Sequence, residues 1–432
     1  MKIKTALISV SDKNGLSSIL KILKKYKINI ISSGGTYKKI KSLGYKSVEI
    51  SEFTEFPEIL DGRVKTLHPK IHSGILFKRQ SNLHKKTLKK KKFESIDLVI
   101  SNFYPFRKTL NEKKNHDTII ENIDIGGPTL VRSAAKNYND VTVITNIKQY
   151  EELISELERY KGKTSLQFRS KMSREAFGET AGYDAVIYNY FNSISKSLIP
   201  EKLIVESNLI KTLRYGENPH QVGAIYSNNE NFNLKKIQGK DLSYNNYNDI
   251  YASLNLIKKL PKNRGVVIVK HANPSGVSIE KDKLKSYISA FNCDPISAFG
   301  GIVGCNFKLT YKVAKEMLKN YFEVVIANGF EKNVIKLIRK KKNLRLIDSS
   351  DVKLSNHNIV SGMDSFLFQT NDNITFEKKK FQVVSKIKPT NKIMDELIFS
   401  FNVCRSVKSN AIVITQNSRT LGIGSGQPSR LD

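Results

Sequence analysis

The chain is short of cysteine, of long apolar runs and of acids. Its three cysteines, Cys293, Cys305 and Cys404, form no CxxC pair. They therefore make neither a disulfide framework nor a paired-thiol metal site, and read as reduced thiols in a cytosolic core. No apolar stretch approaches the roughly 20 residues of a membrane span. The opening MKIKTALISVSDK has a basic start, but its apolar run is too short for a secretory signal and Asp12 follows at once. It reads as the first strand of a domain in a cytoplasmic protein. Only 40 acidic residues face 72 basic ones, a net charge of +32. Such an excess suits a polyanion. However, the dense runs HKKTLKKKKF (84–93) and RKKKNLR (339–345) lack interleaved aromatics on which bases could stack. They read as solvated surface, so no specific nucleic-acid partner is expected.

What remains is an alternation of strand and helix patterns. Ala6 to Val10 reads as a short buried strand, and Asn14 opens a helix with Leu16, Ile19, Leu20 and Leu23 at helical spacing. INII, SVEI, IDLVIS and DVTVIT read as further strands. This rhythm predicts an α/β layer with a mostly parallel sheet, whose ligands collect at the carboxyl ends of strands. Ile147 to Phe191 reads as helical, and a second α/β region follows LRYGENPHQ. There GVVIVKHANPSG reads as strand then turn, and DPISAFGGIVGC as loop then strand. The expected domains are 1–199 and 200–432, with no internal repeat and no low-complexity linker between them.

Several loops carry chemistry. SGGT (33–36) follows a strand and opens a helix, so its glycines and the helix N-terminus suit an anion. SVSDKNG (9–15) places Ser11 and Lys13 at the end of the preceding strand. In DGRVKTLHPKIHSG (61–74), Arg63 and Lys65 lie two apart and face one side of an extended chain, with Thr66 beside them. His68 and His72 are spaced for a metal, but Pro69 is expected to disrupt a helix there and no acidic third ligand follows. We expect no metal and a structural role for both histidines. NFYPF supplies Tyr104, and NIDIGGPTLVRSAAKN supplies Asp124, a Gly126–Gly127 turn and Lys136. An acid, a phenol and lysines can move protons and stabilise an oxyanion. Taken singly, Asp124 as a helix cap and Lys136 as a surface cation remain open.

These motifs occur in this order in the bifunctional purine biosynthesis family that joins phosphoribosylaminoimidazolecarboxamide (AICAR) formyltransferase to IMP cyclohydrolase. The chain resembles that family from residue 3 to its last residue, with LRYGENPHQ, GKDLSYNNYND, VKHANPSG, DPISAFGG, SVKSNAIV and GIGSGQPSR in the second half. The resemblance implies a methylglyoxal synthase-like parallel-sheet domain, then a cytidine deaminase-like α/β transformylase region. It implies formyl transfer from 10-formyltetrahydrofolate to AICAR, then dehydrative ring closure of formylated AICAR to IMP. Neither step requires a metal, and the family acts as a homodimer. By motif match, Ser11, Lys13, Ser33, Gly35 and Thr36 hold the ribose phosphate, while Arg63 and Thr66 help hold the nucleotide. Lys65 stabilises the oxyanion, and Tyr104, Asp124 and Lys136 transfer protons. In the second half Lys270 and His271 match the catalytic pair, Asn410 orients the reacting groups, Arg214 and Tyr215 contact AICAR, and Arg430 faces the folate. The family pattern continues beyond GQPSRLD, which leaves ring closure alone as the competing activity. A regulatory ligand-binding module of methylglyoxal synthase-like fold and a basic nucleic-acid binder stay open beside it.

Overall fold

Short segments, buried nearly throughout, form the first sheet: β1 (Thr5–Ile8), β2 (Asn29–Ser32), β3 (Val48–Glu49) at one edge, β4 (Leu98–Ile100) and β5 (Thr142–Ile144). Every pairing is parallel, in the order β3-β2-β1-β4-β5. Strands apolar on both sides need helices over both faces. Helix Leu16–Lys25 buries Leu16, Ile19, Leu20 and Leu23, the stripe that their spacing predicts. The 29-residue helix Leu166–Ile194 packs against helix Gly126–Lys136. The computed structural model describes residues 1–112, 114–195, 197–228, 234–372 and 381–429. It divides into two units, Met1–Glu206 and Ser207–Asp432, a border slightly beyond the expected 199/200.

β1 is shorter than the strand expected through Val10, for a local reason. The Thr36 hydroxyl accepts from the Val10 N–H and donates to the Val10 carbonyl, both at 3.0 Å. Those groups are thereby withdrawn from any strand ladder, and the chain turns outward into the Ser11 loop.

The second unit has a hairpin, β6 (Asn208–Thr212) with β7 (Ala224–Ser227), and a larger mixed sheet. Along the chain that sheet takes β8 (Lys235–Gln238), β9 (Val266–Lys270), β10 (Asn273–Ser278), β11 (Ile302–Cys305), β12 (Val324–Ala327) and β13 (Arg345–Asp348). A second hairpin, β14 (His357–Gly362) with β15 (Ser365–Thr370), precedes its last strands, β16 (Ile412–Gln416) and β17 (Arg419–Gly424). The spatial order is β16-β17-β10-β9-β11-β12-β13-β8, and β11, β12 and β13 are mutually parallel. Alternate residues feed separate cores: Val266, Ile268 and Val303 on one face, Val267, Val269 and Ile302 on the other. The NPSG segment, expected within a turn, is instead the start of β10. The chain reverses within His271 and Ala272, whose φ angles of 51° and 59° make a two-residue hairpin loop. Among the described residues no helix is long and apolar enough to cross a membrane.

Leu7 is fully buried in β1, between β2 and β4. Leu7→Ala should cost the first unit about 3 kcal/mol, read as an earlier urea midpoint for loss of its secondary structure. An unchanged midpoint would show that this strand does not carry the core.

Candidate active sites

The carboxyl ends of β1, β2 and β4 open on a cavity of about 570 Å³. Ser33 precedes helix Gly34–Ser42, and Gly34 takes a left-handed φ of 45°. A Cβ on Gly34 would lie 3.1 Å from the Lys65 Nζ, and one on Gly35 would lie 3.8 Å from the Lys13 Nζ. Two ammonium groups therefore lie over bare backbone at a helix N-terminus, a cradle for an anion. Lys13 is steadied by the Ser11 carbonyl at 3.1 Å, and Lys65 stands 3.8 Å from Glu58. Asn102 fixes the Ser11 loop: its Oδ1 accepts from the N–H groups of Ser11 and Asp12 at 2.7 and 2.9 Å, and its Nδ2 donates to the Asp12 carbonyl. The Ser9 and Ser33 hydroxyls meet at 3.0 Å, joining the loops after β1 and β2. Thr36 also lines the cavity, but its hydroxyl is engaged by Val10 and its part is to fasten the two loops.

Arg63, Thr66, Tyr104 and Asp124 line the same cavity. The Asp124 carboxylate accepts from the Gly127 N–H at 2.8 Å and the Tyr104 N–H at 3.4 Å. Burial pushes the Asp124 carboxyl above its ordinary range, and these two donors oppose the rise. Burial, then the Asp124 and Glu121 charges, push the Tyr104 phenol up. Tyr183, from helix Leu166–Ile194, accepts from the Asp124 N–H at 2.8 Å and anchors this corner from behind. Arg63 pairs with Glu121, both exposed to solvent. Thr66 is buried beneath Gly126, where any side chain on the glycine would strike its hydroxyl. Lys136 stands apart: it ends helix Gly126–Lys136, about 15 Å along the axis from Gly126, and is exposed. Within this chain it does not reach the cavity. Sequence reasoning missed Ser101, whose buried Oγ has no partner among the described residues, and also Asn102 and Glu121. Asn102 opens the NFYPF motif, so it was visible there but hidden behind Tyr104.

Pro69 does not disrupt the helix near the histidines as expected; it opens helix Pro69–Leu76, at a position where a missing N–H costs nothing. His68 caps that helix, its Nδ1 accepting from the Lys70 N–H at 3.2 Å. His72 meets the Ser133 hydroxyl at 3.0 Å through Nδ1, and its Nε2 is buried. Burial pushes the His72 imidazole below its usual value. Among the described residues no group of His, Cys, Asp and Glu could hold a metal ion.

In the second unit one end of the sheet gathers the remaining candidates. Lys270 ends β9 and donates from Nζ to the Phe299 carbonyl at 2.8 Å. The exposed His271 follows at the hairpin tip, its carbonyl accepting from the Asn273 side chain at 3.1 Å. The Asn273 Oδ1 accepts in turn from the Lys408 N–H at 3.3 Å, which brings the SVKSNA loop and Asn410 to the same end. Asn410 donates to the Gln427 carbonyl at 3.0 Å. Arg214 lies over the Tyr215 ring, 5.8 Å from its centre, and the loop carrying both is tied to helix Tyr244–Ile257 through Asn245 and the Glu217 carbonyl at 3.2 Å. Along this end, beside β11, β12 and β13, lies a cavity of about 820 Å³ that includes Phe299, Glu323, Lys341 and Arg345. Arg430 lies outside the described residues.

A lysine-lined cradle at a parallel sheet, and a Lys–His tip on a second sheet, give this α/β protein two candidate active sites. Residues 15–129 match the MGS-like domain, and residues 134–432 match the AICARFT/IMPCHase bienzyme. The chain is 42% identical over 433 residues to the bifunctional purine biosynthesis protein PurH of Thermoanaerobacter sp. (strain X514), covering 99% of this chain and 85% of that protein. It is 43% identical over 439 residues to PurH of Leptospira biflexa serovar Patoc (strain Patoc 1 / Ames), covering 100% and 85%. PurH of Clostridioides difficile (strain 630) is 41% identical over 436 residues, covering 99% and 85%. The chain belongs to the AICARFT/IMPCHase bienzyme family and carries AICAR formyltransferase and IMP cyclohydrolase activities, with a folate as cosubstrate. Similarity along the whole chain favours both activities over ring closure alone.

The depressed His72 gives a pH test. A histidine held neutral in the fold binds its proton more readily when unfolded, so its stabilisation is lost as pH falls through about 6.5. Thermal midpoints of the first unit should drop between pH 7 and 5, and His72→Gln should flatten that drop. An equal drop in both proteins would show that His72 does not titrate with folding.

Proposed function

We propose that the first unit's cavity closes the ring of formylated AICAR, and that the Lys270–His271 end of the second sheet transfers the formyl group from 10-formyltetrahydrofolate to AICAR. The observation that carries the first assignment is the convergence of Lys13 and Lys65 over Gly34 and Gly35, in the cavity that also holds Asp124 and Tyr104. Ser11, Lys13, Ser33 and Gly35 seat the phosphate, Thr36 fastens the loops that carry them, and Arg63 and Thr66 steady the nucleotide. The carboxamide nitrogen then attacks the formyl carbon of the same molecule. Lys65 faces the oxygen that gains charge, and Asp124 takes the nitrogen's proton. Tyr104 donates toward the departing hydroxyl. Asp124 returns the carboxamide proton to the oxyanion, and the hydroxyl so formed leaves as water with the proton of the former amine nitrogen, relayed through Tyr104, giving IMP. Lys136, expected to share in proton transfer, has no place in this scheme within one chain.

For formyl transfer, the AICAR amine attacks the formyl carbon while His271 receives its proton, and the folate nitrogen leaves protonated. Lys270 supplies positive charge beside the developing oxyanion. Asn410 orients the reacting groups, Arg214 and Tyr215 contact AICAR, and Arg430 faces the folate carboxylates. We further propose a cytoplasmic homodimer as the working form, in line with the family resemblance.

Lys65→Ala should lower kcat for ring closure by about 100-fold or more, with a smaller change in KM. Because burial raises the Asp124 carboxyl, the ring-closure rate should fall on the acid side while the pH is still above the usual carboxylate value of about 4. Asp124→Asn should remove that acid limb with most of the activity. Full ring closure by Lys65→Ala would sink the assignment.

A further inference from the structure

The GKDLSYNNYND motif has no part in the chemistry so far, yet its residues reach three separate pieces of the second site. Ser243 and Asn246 close a capping box at the start of helix Tyr244–Ile257, with bonds of 3.1 and 3.2 Å. From this fixed start, Asn245 donates to the Glu217 carbonyl beside Arg214 and Tyr215, and Asn246 donates to the Glu323 carboxylate at 2.9 Å. One turn on, the Asp249 Oδ1 accepts from the Ala272 N–H at 2.6 Å.

That last bond falls on the hairpin tip. His271 and Ala272 are both left-handed, at φ 51° and 59°, a conformation that side-chain-bearing residues hold only when their surroundings impose it. Glycine or asparagine would be usual here. The Ala272 N–H points off the tip, where only Asp249 receives it among the described residues. On the other side, the His271 carbonyl is held by Asn273. The peptide that carries the imidazole is thus fixed at both ends, one of them by a side chain from a neighbouring helix.

We infer that Asp249 is a positioning residue for formyl transfer, holding the His271–Ala272 turn left-handed so that the imidazole stands at the reacting amine. The inference rests on His271 acting in formyl transfer. It requires no contact between Asp249 and either substrate. The half-buried carboxylate is pushed above its ordinary range by desolvation, opposed by the Ala272 N–H, the His271 charge and the His271 backbone N–H, so it faces the turn from both of its residues.

The test uses the full chain and measures both of its activities. Asp249→Ala should lower kcat for formyl transfer by about 30-fold or more, since small misplacements of a catalytic group carry penalties of that order. The KM for AICAR should stay within about threefold, a split expected of an orienting group. Asp249→Asn keeps an acceptor oxygen in place and should recover most of the rate. Ring closure, measured on the same samples, reports the first unit, and an unchanged far-UV circular dichroism spectrum and urea midpoint report that the second unit is folded. Unimpaired formyl transfer by Asp249→Ala would overturn the inference. So would a rise in KM that accounts for the whole loss, or an Asp249→Asn as slow as the alanine variant. His271→Ala separates the two ideas: if it transfers formyl groups normally, the reading of His271 fails, whatever Asp249 does.

Discussion

The first site depends on positions where a side chain is missing. Lys13 and Lys65 approach the backbone at the start of helix Gly34–Ser42 because Gly34, Gly35 and Gly62 leave the space open. Two cations lining one cavity repel one another without an anion to share, and the cavity walls offer only partial relief. Glu58 stands 3.8 Å from Lys65, and Lys13 has a backbone carbonyl. On the proposed assignment, a phosphate dianion accepts from the helix N-terminus and from both lysines at once. Around that point the remaining loops fasten to each other: Ser9 to Ser33, Thr36 to Val10, Asn102 to Ser11. Each tie removes freedom from a loop before the ligand arrives, which lowers the entropic cost of binding.

The second site achieves a fixed geometry by the opposite means. Its tip carries full side chains in a conformation that favours glycine, and the surroundings hold it there. Asn273, Asp249 and the Lys408 backbone form a chain of bonds from helix Tyr244–Ile257 through the hairpin to the SVKSNA loop. Glu323 receives Asn246 and faces Arg345 at 3.5 Å, joining the same helix to β12 and β13. Segments far apart in sequence are thereby held by the first turns of one helix.

Sequence patterns revealed most of this fold because its strands are short, apolar and separated by helices of clear period. The stripe from Leu16 to Leu23 and the strand Leu98–Ile100 needed no tertiary information. What escaped was decided by side-chain to backbone bonds. β1 ends at Ile8 because Thr36, 26 residues from Val10, takes up both of Val10's backbone groups, and NPSG is a strand because the reversal fits into His271–Ala272. Pro69 was misread because periodicity alone does not separate the first position of a helix from its interior. At the first site the charged and glycine residues were legible, since their types state their chemistry. Asn102, Ser101 and Asp249 were not, because what they do depends on which backbone groups lie within reach.

The two reactions ask for different enclosures, and the two sites differ accordingly. Ring closure joins atoms of a single molecule, so the protein gains by folding that molecule and handling its protons. In the proposed scheme, a cavity of about 570 Å³ with Lys13, Lys65 and Asp124 all on its walls fixes the substrate by its phosphate and presents its reacting end to the acid. Formyl transfer is bimolecular, and two ligands must enter and align before anything happens. An open sheet end suits that need: His271 is exposed, and the adjoining cavity of about 820 Å³ extends past Phe299 to the lysines before β13. Openness brings water and mobility, both harmful to a proton transfer that depends on angle. The left-handed tip, with its N–H and carbonyl both held, keeps the imidazole's backbone fixed at an end of the sheet that solvent reaches.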